Sequence, residues 1–187
     1  GGVPIDVVER RRFPHRPDLV LLCDVSGSVA PFAQFTLLLV NALHRELRTV
    51  RSFAFVDGVA EVTDLFADAV HDLDVHRLVE RRGVVGLAGH SDYGRAFGQF
   101  VEHHLGAIST RTTVLICGDG RSNHLPPGAD ALRRIAARAR CVYWLNPEPR
   151  AEWDTTDSVI TALRPACREV FEVRTVRHLA DVITQLV

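Results

Sequence analysis

The sequence predicts an α/β domain: a doubly wound, mostly parallel sheet with one antiparallel edge strand and helices on both faces. Three observations carry this expectation. Leu19-Val20-Leu21-Leu22-Cys23 and Thr113-Val114-Leu115-Ile116-Cys117 are near-continuous apolar runs, the pattern of strands buried on both faces. Segments with helical spacing separate such runs, and strands alternating with helices pair in parallel through crossovers. Asp57-Gly58, between two short strand-like stretches, is a hairpin turn that makes one strand antiparallel.

Taken in order, residues 1–17 carry Arg10, Arg11, Arg12, His15 and Arg16 among Pro4, Pro14 and Pro17, and read as a basic linker or arm, solvated rather than in contact. The first strand ends at Asp24. Pro31 to Arg48 is a predicted helix with Pro31 in its first turn, and Phe32, Phe35, Leu38, Leu39, Leu43 and Leu47 leave it little polar face. Arg51 to Val56 is the second strand, Val59 to Phe66 the returning edge strand, and Val70 to Arg81 a helix. Tyr93, Phe97, Phe100, Val101 and Leu105 recur at helical spacing, so Asp92 to Leu105 is a helix whose aromatic stripe belongs to the core. Thr112 to Cys117 is the next central strand, and Pro126-Pro127-Gly128 punctuates a loop. Ala129 to Arg140 is a helix, with Leu132, Ile135 and Ala139 inward and Arg133, Arg134 and Arg138 solvated. Cys141 to Leu145 is a strand, Thr155 to Leu163 a helix, Glu169 to Val173 a last strand and Val176 to Leu186 a closing amphipathic helix.

Composition sets the bounds. A chain of 187 residues suits one domain with a substantial core, and 47% hydrophobic with 24% charged residues is ordinary for a globular protein. A formal net charge of -1 argues against a general nucleic-acid binder, which needs a basic surface. All 22 basic residues are Arg and Met is absent, a bias we assign to genomic base composition. The Gly1-Gly2 start points to a processed chain or a domain cut from a longer protein. Cys23, Cys117, Cys141 and Cys167 form no Cys-x-x-Cys pair and read as buried free thiols, not a zinc site. With no apolar span of membrane length, the expected location is cytoplasmic.

The chemistry concentrates after the first strand. Asp24-Val25-Ser26-Gly27-Ser28 lies where open α/β sheets place their ligands, and its carboxylate and two hydroxyls alternate in an extended turn. Oxygen donors of this kind suit a hard cation such as Mg²⁺, which keeps several waters and accepts few protein ligands.

Asp24-x-Ser26-Gly27-Ser28 after an apolar strand resembles the first element of the metal-ion-dependent adhesion site (MIDAS) of von Willebrand factor A (VWA) domains. The family pattern continues with a Thr in a Gly-rich loop before a helix, then an Asp ending a later apolar strand. Here the loop reads Gly89-His90-Ser91-Asp92-Tyr93-Gly94 and the strand Thr113-Val114-Leu115-Ile116-Cys117-Gly118-Asp119-Gly120. Ser91 takes the Thr position and Asp119 the Asp position, so the resemblance implies Asp24, Ser26, Ser28, Ser91 and Asp119 as ligands of Mg²⁺, or of Mn²⁺ or Ca²⁺. Ser91 lacks the methyl that stiffens Thr, and Gly118 stands where the family usually has Ser. Arg10-Arg11-Arg12 and Val142-Tyr143-Trp144-Leu145-Asn146-Pro147 are similar to bacterial CoxE-like VWA proteins. The resemblance makes residues 18–187 a VWA domain of Rossmann-like fold. It further implies a protein partner whose Asp or Glu completes the metal coordination, and work with a MoxR-type AAA+ ATPase in maturation or remodelling of a client complex.

Competing chemistries are less well served. A Mg²⁺-dependent phosphatase or phosphotransferase would use Asp24 as nucleophile and wants a basic residue and a second acid, for which Arg121 and Asp92 are near in sequence. Ser26 as a hydrolase nucleophile lacks Gly-x-Ser-x-Gly, and no Gly-x-Gly-x-x-Gly follows the first strand for a dinucleotide. His90, His103, His104 and His124 read as surface residues, of which His90 and His124 are near enough in sequence to approach the site mouth. A non-enzymatic, metal-dependent binder is the expectation, with Arg121 and His90 lending its rim positive charge.

Overall fold

Among the described residues six strands line up in the order β3-β2-β1-β4-β5-β6, which puts the first apolar run in the interior of the sheet. The computed structural model describes residues 18–27, 32, 50–64 and 90–186. The basic arm, the helix expected over Val70 to Arg81 and all but Phe32 of that expected over Pro31 to Arg48 lie outside the described residues. The strands are β1 (Asp18–Asp24), β2 (Val50–Phe55), β3 (Val59–Glu61), β4 (Thr112–Cys117), β5 (Cys141–Asn146) and β6 (Glu169–Glu172). β1 pairs in parallel with β2 (Leu22 opposite Phe53) and with β4 (Leu22 opposite Ile116). Among the described strands only β3 runs antiparallel, Val59 opposite Phe55 across the Asp57-Gly58 turn. The chain leaves β1 towards one edge and returns on the other side at β4, so the switch point of the sheet lies between the two.

Two apolar layers explain why the central strands show no alternation. Leu19, Leu21, Cys23, Leu115 and Cys117 pack on one face with Leu179 and Val182. Val20, Leu22, Val114 and Ile116 pack on the other with Phe97, Phe100, Leu132 and Ile135. Numbered among the described residues, the helices are α1 (Tyr93–Gln99), α2 (Ala129–Arg138), α3 (Ile160–Leu163) and α4 (Val176–Leu186). α1 and α2 therefore cover one face and α4 the other. On α2, Leu132 and Ile135 are buried while Arg133, Arg134 and Arg138 are exposed, and Ala139 caps the helix in an extended conformation.

Three segments depart from expectation. The edge strand expected over Val59 to Phe66 ends at Glu61, and Thr63-Asp64 are already helical, with the Thr63 hydroxyl bonded to Ser52 and Glu61. The helix from residue 93 does not stay α-helical to Leu105; it widens to a π-helix over Phe100–His104 and tightens to a 3₁₀ turn over Leu105–Ala107. The wide turn brings the consecutive Phe100 and Val101 both inward, with Phe100 edge-on to Phe53 at 5.0 Å, so tertiary packing outweighs regular winding. The helix expected over Thr155 to Leu163 shrinks to α3, preceded by a 3₁₀ turn at Arg150–Glu152. Its first residues are engaged elsewhere: Ser158 bridges to Arg121, and the Asp157 carboxylate accepts from Arg121 and from the Asn123 amide.

α1 and α2 approach through glycine. An ideal Cβ on Gly94 would fall inside contact distance of the Pro126 carbonyl oxygen and 3.4 Å from the Gly128 nitrogen. Gly94→Ala forces backbone against backbone, and overpacking of this kind costs about 1–3 kcal/mol. Thermal denaturation should show a lowered Tm; an unchanged Tm would refute the close approach.

Candidate metal centre

Asp24 closes β1, and its carboxylate is fully buried, 0% exposed. A charge in that position needs donors around it, and three elements supply them. The Ser26 backbone N–H donates to Oδ1 at 2.9 Å, folding the chain back after the strand. The Ser91 hydroxyl, from the loop before α1, lies 3.1 and 3.0 Å from Oδ1 and Oδ2. The Tyr93 phenol, in the first turn of α1, donates to Oδ2 at 2.6 Å. Burial pushes the Asp24 carboxyl above its usual range, opposed by the bonds from Tyr93, Ser26 and Ser91.

Asp119 follows β4 and is 3% exposed. Its Oδ1 accepts the Arg121 amide at 2.9 Å and stands 3.5 Å from the Tyr93 phenol. The phenol thus sits between both carboxylates and itself accepts the Gly120 N–H at 3.1 Å. Burial, with the charges of Asp24 and Asp119, pushes Tyr93 well above the usual phenol range, so it remains a donor. β5 holds the end of β4 from the far side: Trp144 Nε1 donates to the Gly118 carbonyl at 2.8 Å and Asn146 Nδ2 to that of Asp119 at 2.9 Å.

Asp24, Ser26, Ser91 and Asp119 are therefore gathered at the carboxyl ends of β1 and β4, while Ser28 lies outside the described residues. Among the described residues no group of three or more His, Cys, Asp or Glu side chains is arranged to hold a metal ion by itself. The donor set is two carboxylates with hydroxyls, all oxygen, which fits a hard divalent cation that keeps much of its water and not one that prefers sulfur or nitrogen.

Two expectations need correction. Arg121 does not line the site rim. Its guanidinium makes a two-point bond to Glu148 (2.7 and 3.0 Å), reaches Thr156 at 2.6 Å and Asp157 at 3.0 Å, and has Glu152 at 3.8 Å. Three acids outcompete the open site for one cation. Asp92 is likewise occupied, capping α1 by accepting the Arg95 N–H at 2.8 Å. His90 and His124 are exposed on the loops beside Ser91 and Asn123.

The sequence pattern missed Tyr93 as a site residue. Its ring is core, packed against Phe55, Phe97 and Trp144 at 5.2, 5.8 and 5.5 Å, and only its oxygen joins the carboxylates. The signal lay in Gly118. A Cβ there would collide with the phenol oxygen and come within 2.9 Å of the Asp24 Cβ, so the tyrosine occupies the space a serine at 118 would take. Asn123 was missed too; in a left-handed conformation (φ 52°) it donates from Nδ2 to the Ser91 carbonyl at 3.2 Å.

Comparison with known proteins agrees with this architecture. Among solved structures, a von Willebrand factor type A protein from Catenulispora acidiphila superposes with a TM-score of 0.55 at 16% identity, over 91% of this chain and 42% of that one. The conserved hypothetical protein BatB from Bacteroides thetaiotaomicron gives 0.55 at 14%, over 90% and 96%. Proximal thread matrix protein 1 from the mussel byssus, with a zinc-occupied MIDAS motif, gives 0.53 at 13%, over 91% and 47%. The chain thus spans less than half the length of the first and third of these. At such identities the likeness shows the fold alone. No curated protein matches. The family described as "VWA domain containing CoxE-like protein" matches residues 1–182, nearly the whole sequence, and the chain belongs to that family.

Proposed function

We propose that this domain is a metal-dependent protein-interaction module. Asp24, Ser26, Ser28, Ser91 and Asp119 would hold Mg²⁺, or Mn²⁺ or Ca²⁺. The observation that carries the reading is the buried, oxygen-only set of two carboxylates and hydroxyls at the switch point of the sheet. A bound divalent ion supplies positive charge and exchangeable water positions, one of which a partner Asp or Glu fills. The zinc-occupied motif of the mussel protein supports a divalent ion on this fold. CoxE-like membership supports a MoxR-type AAA+ ATPase as the partner machine, with the domain taking part in maturation or remodelling of a client complex. Work beside an ATP-consuming machine would place it in the cytoplasm; among the described residues no helix is long and apolar enough to cross a membrane.

The phosphotransferase reading is weaker. Arg121 is tied to three acids and Asp92 to a helix cap, so neither of the groups such chemistry wants is available. We propose that the domain is not an enzyme.

Asp24→Ala should abolish Mg²⁺ and Mn²⁺ binding in calorimetric titration while the domain stays folded; unchanged affinity refutes the assignment. The domain with Mg²⁺ should turn over neither phosphate esters nor nucleoside triphosphates. Metal-dependent turnover lost on Asp24→Asn would instead bring the phosphotransferase forward. In pull-downs of the partner, a chelator and Asp24→Ala should weaken the complex to a similar extent and together add little, since both remove one interaction. Binding that survives chelation but fails on charge reversal of Arg133, Arg134 and Arg138 would move docking to α2.

A further inference from the structure

We infer that Tyr93 is a positioning residue of this centre: one hydroxyl in the core aims the Asp24 carboxylate and spaces it from Asp119, and divalent-ion affinity depends on it. The inference rests on the metal-binding reading above and names a residue which that reading does not contain.

The phenol has one proton and two acceptor positions. At 2.6 Å the proton goes to Asp24 Oδ2, and the Gly120 N–H occupies a lone pair from 3.1 Å. The Asp119 oxygen at 3.5 Å is too distant to share that proton well, so the phenol acts there as a spacer between two like charges. The Ser26 amide holds Oδ1 and the phenol holds Oδ2; one bond on each oxygen fixes the carboxylate plane. Ser91 reaches both oxygens nearly equally and so cannot choose between orientations.

The phenol oxygen is itself fixed. The ring is 0% exposed and wedged among Phe55, Phe97 and Trp144. Gly118, having no Cβ, leaves the oxygen its place beside Asp24. Through one atom, the start of α1 is tied to the end of β1 and to the backbone just past β4. Groups that orient metal ligands without touching the ion typically alter affinity 10- to 100-fold.

The test is Tyr93→Phe in the full chain, which keeps the ring and deletes the oxygen. Mg²⁺ and Mn²⁺ are titrated calorimetrically into wild type and variant, alongside near-UV circular dichroism and metal-free Tm. The expected result is a native-like spectrum with affinity for both ions weakened about 10-fold or more. Wild-type affinity in Tyr93→Phe, even with a lower metal-free Tm, would make the hydroxyl merely structural and overturn the inference. Should Tyr93→Phe lose the native spectrum, Gly118→Ala displaces the same oxygen from the β4 side with the tyrosine retained, and wild-type affinity there overturns the inference equally. Absence of binding in the wild type is a separate outcome: it removes the metal-binding reading, and this inference with it.

Discussion

The burial of one carboxylate at the end of the central strand is the constraint around which the domain is arranged. Asp24 has no contact with bulk water, and an uncompensated charge there would cost several kcal/mol. The donors that meet it come from the turn after β1, the loop before α1 and α1 itself, so the three must stay in register for the charge to be tolerated. The two apolar layers provide that register. β1 is clamped in parallel between β2 and β4, and α1 with the π-helical turn that continues it is seated on the sheet by Phe97 and Phe100.

The second carboxylate is placed by a different device. Asp119 is the second residue beyond β4 and would fray if held by its own strand alone. Trp144 and Asn146, from the neighbouring strand, bond the carbonyls of Gly118 and Asp119, so the polar atoms of an otherwise apolar strand fix the backbone of the site. Trp144 serves twice, since its ring also packs against Tyr93. A change in β5 is therefore felt at both carboxylates.

The fold was legible because its central strands are apolar on both faces and the antiparallel pair among the described strands is marked by Asp57-Gly58. The gathering of oxygen donors was legible from residue type and position: Asp24, Ser26, Ser91 and Asp119 stand at strand or loop ends, and β1, β4 and the start of α1 bring them together. What stayed hidden were groups whose role depends on direction. Tyr93 belongs to a helical aromatic stripe, and no periodicity tells that its ring is core while its oxygen faces a carboxylate. Arg121 follows Asp119 by two residues, and nothing local reveals that acids about 30 residues later draw it away. The helix expected from Thr155 failed for the same reason, because long-range bonds to Arg121 and Asn123 replaced its first turn.

Arg121 also shapes the charge around the candidate site. Hydrogen bonds to Glu148 and then to Asp157 hold it charged, and the cation is matched against three acids, Glu148, Glu152 and Asp157. Thr156, left-handed at φ 54°, is held in that conformation while its hydroxyl receives the guanidinium. For a β-branched residue this backbone costs on the order of 1–3 kcal/mol, which the Arg121 network offsets. The cation thus stiffens the loop beside the site instead of facing outward. With Asp24 and Asp119 added, the described surroundings of the strand ends carry more acid than base, and a partner carboxylate brought there alone would meet repulsion. On the metal-binding reading proposed above, attraction for an acidic partner would come from a cation seated between the strand ends, and recognition would depend on the metal and not on the rim.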